Sequence, residues 1–287
     1  MNRERLTFTV HDGDIKAGGS RCDDPVYSQF EAYLNALKAS AIYTPGDNEW
    51  TDCDRPTAGG YDSEERLALI RARFFDTPFS FGQRRLRLTQ QGAPYVENLR
   101  WRIGRVVYAT LHVVGSDNNL SGDVNPDPEE FAARDAATNE WLRQTFDAAE
   151  RLRAEAVLLV IQANPGFDAS DPTRAPLRDP RTLLAPSGQP DGFTNFMRIL
   201  REETVAFRRP VVLVHGDSHY FRVDKPLQDE QGARVENFTR VETPGDNAQN
   251  GNNDVHWTKV LVDPGSREVF AFQPQTVPAN RVAVPAP

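Results

Sequence analysis

Carboxylates, amides and imidazoles gather at five places in this chain, each directly after a short apolar run. "LTFTV" leads into His11, Asp12 and Asp14; "SAIYT" leads into Asp47, Asn48 and Glu49. "RVVYATLHVV" contains His112 and runs into Asp117, Asn118 and Asn119; "AVLLVIQ" ends at Gln162 with Asn164 beyond; "PVVLVH" ends at His215, followed by Asp217 and His219. Four of the five histidines in the chain lie in these segments. Crowded carboxylates repel one another unless a proton or cation intervenes. Oxygen-rich sets with a few imidazoles suit a hard or borderline divalent metal, Mn²⁺ or Mg²⁺ first, with Fe or Zn²⁺ as alternatives.

Strands and helices must alternate to present such a set. The near-continuous apolar runs predict strands buried on both faces. Between them "DPVYSQFEAYLNALKAS", "DSEERLALIRARFF", "DPEEFAARDAATNEWLRQTFDAAERLRAE" and "TNFMRILREETVAF" carry helical spacing, with Val26, Phe30, Tyr33, Leu34 and Leu37 the expected stripe of the first. The alternation predicts an α/β layered domain, with ligands gathering beyond the carboxyl ends of the strands. "HWTKVLV" and "EVFAFQ", joined through Pro264 and Gly265, predict a terminal hairpin. Polar stretches at 79–100, 166–191 and 223–255 read as long loops in a single domain spanning 1–287.

Composition narrows the function. A formal net charge of -8 and a pI near 5.2 argue against a nucleic-acid partner, which needs a basic face. No stretch approaches the ~20 consecutive apolar residues of a membrane span. The N-terminus has no secretory apolar core. Cys22 and Cys53 each follow a motif loop, so they are either two free thiols or a bridge between those loops. A bridge implies an oxidising compartment, periplasmic or secreted, and a leader upstream of this sequence.

The order of motifs, "HDGD", "GDNE", "IQANP" and "GDSH", resembles that of the calcineurin-like metallophosphoesterase superfamily. The resemblance spans His11 to His219 and implies a layered α-β-β-α sandwich of two mixed sheets flanked by helices. It implies hydrolysis of phosphate esters by metal-activated water, with a phosphorylated small molecule or ester as partner and one or two ions as cofactor. Carried over, Asp14 bridges two metals, Asp47 stands where the family has an asparagine ligand, and Asp217 and His219 complete the set. The first ion keeps Asp14 and His219, and the second keeps Asp14, Asp47 and Asp217. Gln162 or Asn164 replaces a histidine ligand, and Asn48 occupies the position of the usual acid, so no catalytic acid is assigned. The family's opening Asp-X-His motif has no counterpart before His11, which implies that a first strand lies upstream of residue 1 or that another element fills its place.

Blander readings compete at each position. An isolated Asp after a strand is ordinarily a cap or turn residue. His11 reads as structural or as a neighbour supporting a ligand. His112, within an apolar strand, reads as a hydrogen-bonded interior histidine. His215 either faces away from the Asp217 loop or borders it. Asn118 and Asn119 offer a contact to phosphate or a substrate hydroxyl. Ser218, beside His219, is rejected as a nucleophile because neighbours on an extended chain do not face each other. Sequons at Asn119 and Asn237 are common by chance, and Arg84, Arg85 and Arg87 read as a solvated face. The pentapeptide "TPGDN" occurs at 44–48 and again at 243–247. The first copy follows a strand and is expected to place Asp47 as a ligand; the second is expected to be a turn in a polar loop, its Asp and Asn offering at most a cation contact.

Two function classes remain: a metal-dependent phosphoesterase, or a degenerate member that binds metal or a phosphorylated ligand without turning it over. A glycoside hydrolase with paired carboxylates lacks aromatic platforms beside them.

Overall fold

The computed structural model describes residues 1–171, 175–245 and 256–280. Its centre is a seven-stranded mixed sheet in the order β3-β4-β5-β6-β7-β9-β8. The strands are β3 (Thr89–Gln90), β4 (Leu99–Ile103), β5 (Val106–Thr110), β6 (Ala156–Val160), β7 (Val211–His215), β8 (Arg222–Asp224) and β9 (Phe238–Glu242). The four central strands β5, β6, β7 and β9 run parallel, and the edges are antiparallel. A separate parallel pair joins β1 (Phe8–His11) to β2 (Ser40–Tyr43), and β10 (His256–Val262) with β11 (Phe270–Thr276) forms the expected hairpin.

The alternation along β6 explains its uninterrupted apolar sequence. Ala156, Leu158 and Val160 enter one core, shared with Tyr27, Ile42, Trp50, Ile70 and Trp101. Val157, Leu159 and Ile161 enter the other, with Trp141, Phe146, Phe196 and Leu200. A strand sandwiched between two cores has no wet face on which to carry a polar residue.

Helices α1 (Asp24–Asn35), α2 (Ser63–Phe74), α4 (Pro128–Arg151) and α5 (Thr194–Phe207) occupy the four expected segments. Two start on caps that the sequence specifies: Asp62 accepts from Glu65 N at 2.8 Å, and Asp127 accepts from Glu129 and Glu130 N at 2.9 Å each. In α1 Phe30 and Leu34 of the expected stripe are buried together with Tyr27, whereas Tyr33 is 62% exposed. The four-residue element α3 (Gly115–Asn118) is a single turn wound left-handed, with φ of 52°, 51° and 56° at Ser116, Asp117 and Asn118.

Two expected loops carry strands. The 79–100 stretch contains β3 and the start of β4, and 223–255 contains β9 and most of β8. The reason is charge: β9 reads "FTRVE", yet Arg240 is buried through its ion pair with Asp224, and Glu242 through Arg222. Among the described residues 166–191 has no helix or strand. Its anchor is the fully buried Arg178, which donates to the carbonyls of Pro165 and Leu183 and pairs with Asp191 at 2.8 Å.

Candidate metal centre

Five strands deliver their carboxyl ends to one place. β1 delivers Asp14, β2 Asp47 and β7 Asp217, and one carboxylate oxygen from each lies within 4.8 Å of the others. Asp47 is buried, and Asp14 and Asp217 are half-buried. Among the described residues this is the one group of His, Cys, Asp or Glu side chains spaced to hold an ion. His219 does not belong to it; its ring lies against Gly245, where an added Cβ would stand 2.5 Å from Cδ2.

The backbone is bent into unusual shapes to make this convergence. Asp14, Asp217 and His219 adopt φ of 58°, 68° and 61°, and Ser116 through Asn119 continue the pattern at a neighbouring strand end. Left-handed non-glycine residues cost of order 1–3 kcal/mol each and persist only where the surroundings enforce them. Close packing does the enforcing. A Cβ on Gly46 would stand 2.3 Å from Asp14 Oδ1, and one on Gly115 would stand 2.3 Å from Asp47 Oδ2. Only glycine lets β2 and β5 end so near the carboxylates.

Around the cluster several polar side chains are tied to one another and to the backbone. Glu49 Oε1 accepts from Tyr43 Oη and Gly46 N at 2.7 Å each, and Oε2 accepts from Ile15 N at 3.4 Å, tying the two motif loops together. Burial, outweighing those bonds, raises the Glu49 carboxyl above its usual range. Ser116 Oγ lies 3.2 Å from Asp47 Oδ2 and 3.0 Å from Asp52 Oδ1. Asp52 is pushed up to about 9 by burial and by Asp47, against the pull of Arg55 at 2.6 Å. Asp14 is raised well above the carboxylate range by burial, then by Asp47, Glu49 and Asp217. In each case burial is the larger cause and the neighbouring carboxylates add to it. The Lys16 ammonium is drawn toward its charged form by Glu49, Asp52, Asp14 and Asp47, but burial wins and lowers it.

Gln162 and Asn164, expected as weak ligands, are spent otherwise. Gln162 Nε2 donates toward Asp14 Oδ1 and Oδ2, at 3.2 and 3.1 Å, and toward Asp47 Oδ1 at 2.9 Å. Its oxygen, the atom a metal would need, faces away and accepts from Gly115 N at 2.7 Å. Asn164 Nδ2 donates to Ser218 Oγ at 2.6 Å, while its Oδ1 accepts from Gly166 N at 3.1 Å. Asn48 donates its backbone N–H to Asp47 Oδ1 at 3.0 Å. Cys22 and Cys53 are joined in a disulfide that fastens the loop after β1 to the loop after β2.

The remaining candidates are structural. His112 Nδ1 contacts Glu97 Oε1 at 2.8 Å and its ring packs on Trp50. His11 packs on Phe30 and is kept neutral by burial. His215 is in register with Val211 and Leu213, on the face opposite the Trp50 core, and lies on Phe167. Burial and then Arg240 lower it to about 3, so it is uncharged at neutral pH. Asn118 is not free for a substrate. Its Oδ1 accepts from Arg134 Nη1 at 2.6 Å, and its Nδ2 donates to Gly192 O at 3.1 Å. Arg134, entirely buried, also donates to His112 O and Asn118 O, and so supports the left-handed turn. Asn119 is buried and Asn237 Nδ2 donates to Thr204 and Arg209 carbonyls, which leaves neither sequon asparagine projecting into solvent.

The second "TPGDN" follows a buried strand after all, because β9 leads into it. Thr243 Oγ1 donates to Asp12 Oδ2 at 2.6 Å, and Glu242 accepts from Ser218 Oγ, from Tyr220 N at 3.2 Å and from Arg222 Nε at 2.6 Å. Glu242 therefore holds the turn carrying Asp217 and His219, and Thr243 ties the end of β9 to the loop after β1; sequence reasoning missed both. The repeat itself was the signal: its first half marks the end of a parallel strand in each case. Asp246 and Asn247 lie outside the described residues.

No protein-family model matches this sequence, and no curated protein matches it either.

Proposed function

We propose that this chain is a divalent-cation-dependent phosphoesterase of the calcineurin-like kind, acting on a phosphorylated small molecule or ester. The observation that carries the reading is the convergence of Asp14, Asp47 and Asp217 oxygens within 4.8 Å at the ends of three strands. An all-carboxylate set suits Mn²⁺ or Mg²⁺. Such an ion supplies Lewis-acid polarisation of a phosphoryl oxygen and a more acidic water.

The distribution of the two cores supports the four-layer form of this fold. One core joins β1, β2, α1 and α2 to one face of the seven-stranded sheet, and the other joins α4 and α5 to its opposite face. The disulfide favours an oxidising compartment.

The chain's own residues set what such an enzyme prefers. Asp14, Asp47 and Asp217 hold the ion, Glu49 fixes the loops that carry the first two, and Glu242 fixes the third. Asn48 has no proton to give, which favours esters with good leaving groups. A second reading, a cation-binding member without turnover, is favoured by one observation: the Gln162 amide points into the carboxylates.

Metal content of the purified protein equilibrated with Mn²⁺, alongside Asp14→Ala and Asp47→Ala, with nitrophenyl phosphate hydrolysis in the same samples, tests both. Bound Mn²⁺ and hydrolysis lost together in the variants support the enzyme. Bound Mn²⁺ without hydrolysis supports the binder, and no Mn²⁺ in any sample overturns both readings.

A further inference from the structure

Gln162 is fully buried, and its side-chain nitrogen reaches the carboxylates of Asp14 and Asp47. It is cradled there by absences. A Cβ on Gly13 would stand 2.6 Å from Gln162 Cγ, and one on Gly46 would stand 2.8 Å from it. The amide has only one acceptable orientation. With nitrogen inward, two N–H groups meet oxygens of Asp14 and Asp47 at 2.9–3.2 Å, and Oε1 takes the Gly115 N–H at 2.7 Å. Reversed, Oε1 would face the ionised Asp47 oxygen and the NH₂ would face the Gly115 N–H, a donor opposite a donor.

We infer that the Gln162 amide stands in for a second cation, so that the centre takes one divalent ion and not two. The inference rests on the cation-binding reading above and sharpens its stoichiometry. Two carboxylates that share a donor with fixed N–H bonds already have part of their charge answered. The volume between Asp14 and Asp47 on the Gln162 side is filled by that NH₂, so an ion binds on the side facing Asp217. The amide is uncharged and cannot leave, whereas a second ion would exchange with solvent.

The test is a count of Mn²⁺ per chain, by titration calorimetry and elemental analysis after gel filtration, with electron paramagnetic resonance to separate an isolated ion from a spin-coupled pair. Gln162→Glu keeps the acceptor for Gly115 N but replaces the inward NH₂ by a carboxylate oxygen. The expected result is one isolated ion in the wild type and two coupled ions in Gln162→Glu. Two ions in the wild type overturn the inference and leave the phosphoesterase reading standing. None in the wild type overturns that reading and the inference with it. One ion in both proteins also overturns the inference, because the amide would then not be what limits the count. Gln162→His, which offers an imidazole at the same place, provides the same comparison if the glutamate variant does not fold: two ions support the inference and one overturns it.

Discussion

The pentapeptide at 44–48 and its copy at 243–247 are one piece of local chemistry placed in two settings. Each follows a parallel strand whose neighbour ends in a histidine. Thr44 N donates to His11 O at 3.1 Å, and Thr243 N donates to His215 O at 2.8 Å. Each glycine then lies against a residue of the neighbouring motif, Gly46 against Asp14 and Gly245 against His219. What differs is the support. The first copy is locked by Glu49, by the disulfide and by the Trp50 ring on His112. The second is held by the Thr243 hydroxyl on Asp12 and by Glu242 before it. A turn sequence sets the backbone path, and the packing behind it decides how firmly a carboxylate can be aimed.

Removing the supports of the first copy should have the largest effects. Cys22→Ser with Cys53→Ser opens a loop with a sequence separation of 31. Loop-closure entropy puts the loss at about 3–4 kcal/mol, to be read from the urea midpoint against wild type. The charged brace behind Trp50 should fail at low pH. Burial pushes Glu97 up, but its hydrogen bond and charge contact with His112, together with Arg71, outweigh it and hold Glu97 at about 2. A depressed carboxyl contributes stability above its unfolded pKa and loses it as pH falls through the folded value. Unfolding free energy should therefore drop by about 3 kcal/mol between pH 4.5 and 2, and Glu97→Gln should lack that part of the acid limb.

The second copy should prove more forgiving. Thr243→Val removes one hydrogen bond to a carboxylate and should cost about 1–2 kcal/mol in denaturant unfolding, with Thr243→Ser recovering most of it. The finest contrast is between the two glycines. Gly46→Ala would drive a methyl to within 2.3 Å of Asp14 Oδ1 and 2.6 Å of its backbone N, whereas Gly245→Ala would crowd the His219 ring, which lies outside the three-carboxylate group. Mn²⁺ affinity should fall about tenfold, or ~1.4 kcal/mol, in the first and scarcely move in the second. Equal losses in both would mean that His219 shares the ion.

The sequence makes the parallel core legible because its strands are apolar on both faces, and the four helices legible from their spacing. β9 was hidden for the opposite reason: Arg240 and Glu242 look like surface residues until Asp224 and Arg222 are placed beside them. The carboxylates of the centre were legible from their positions after strands. The roles of the amides were not. Asn118 reads as a substrate contact until the buried Arg134 appears, and Gln162 reads as a ligand until Gly115 N fixes which end of its amide faces inward. Such roles depend on partners 16 and 47 residues away, distances that no local pattern spans.

The bond between Cys22 and Cys53 also closes a covalent ring that contains all of α1 and β2. A protease that cuts anywhere between those two residues, including the exposed face of α1, releases no fragment. The nicked chain would keep its mass and run as one species until a reductant is added, when two pieces would separate. Asp14 and Asp47 would then be on different peptides or the same one according to where the cut fell, so a reducing gel would show which side of Asp47 the protease had reached.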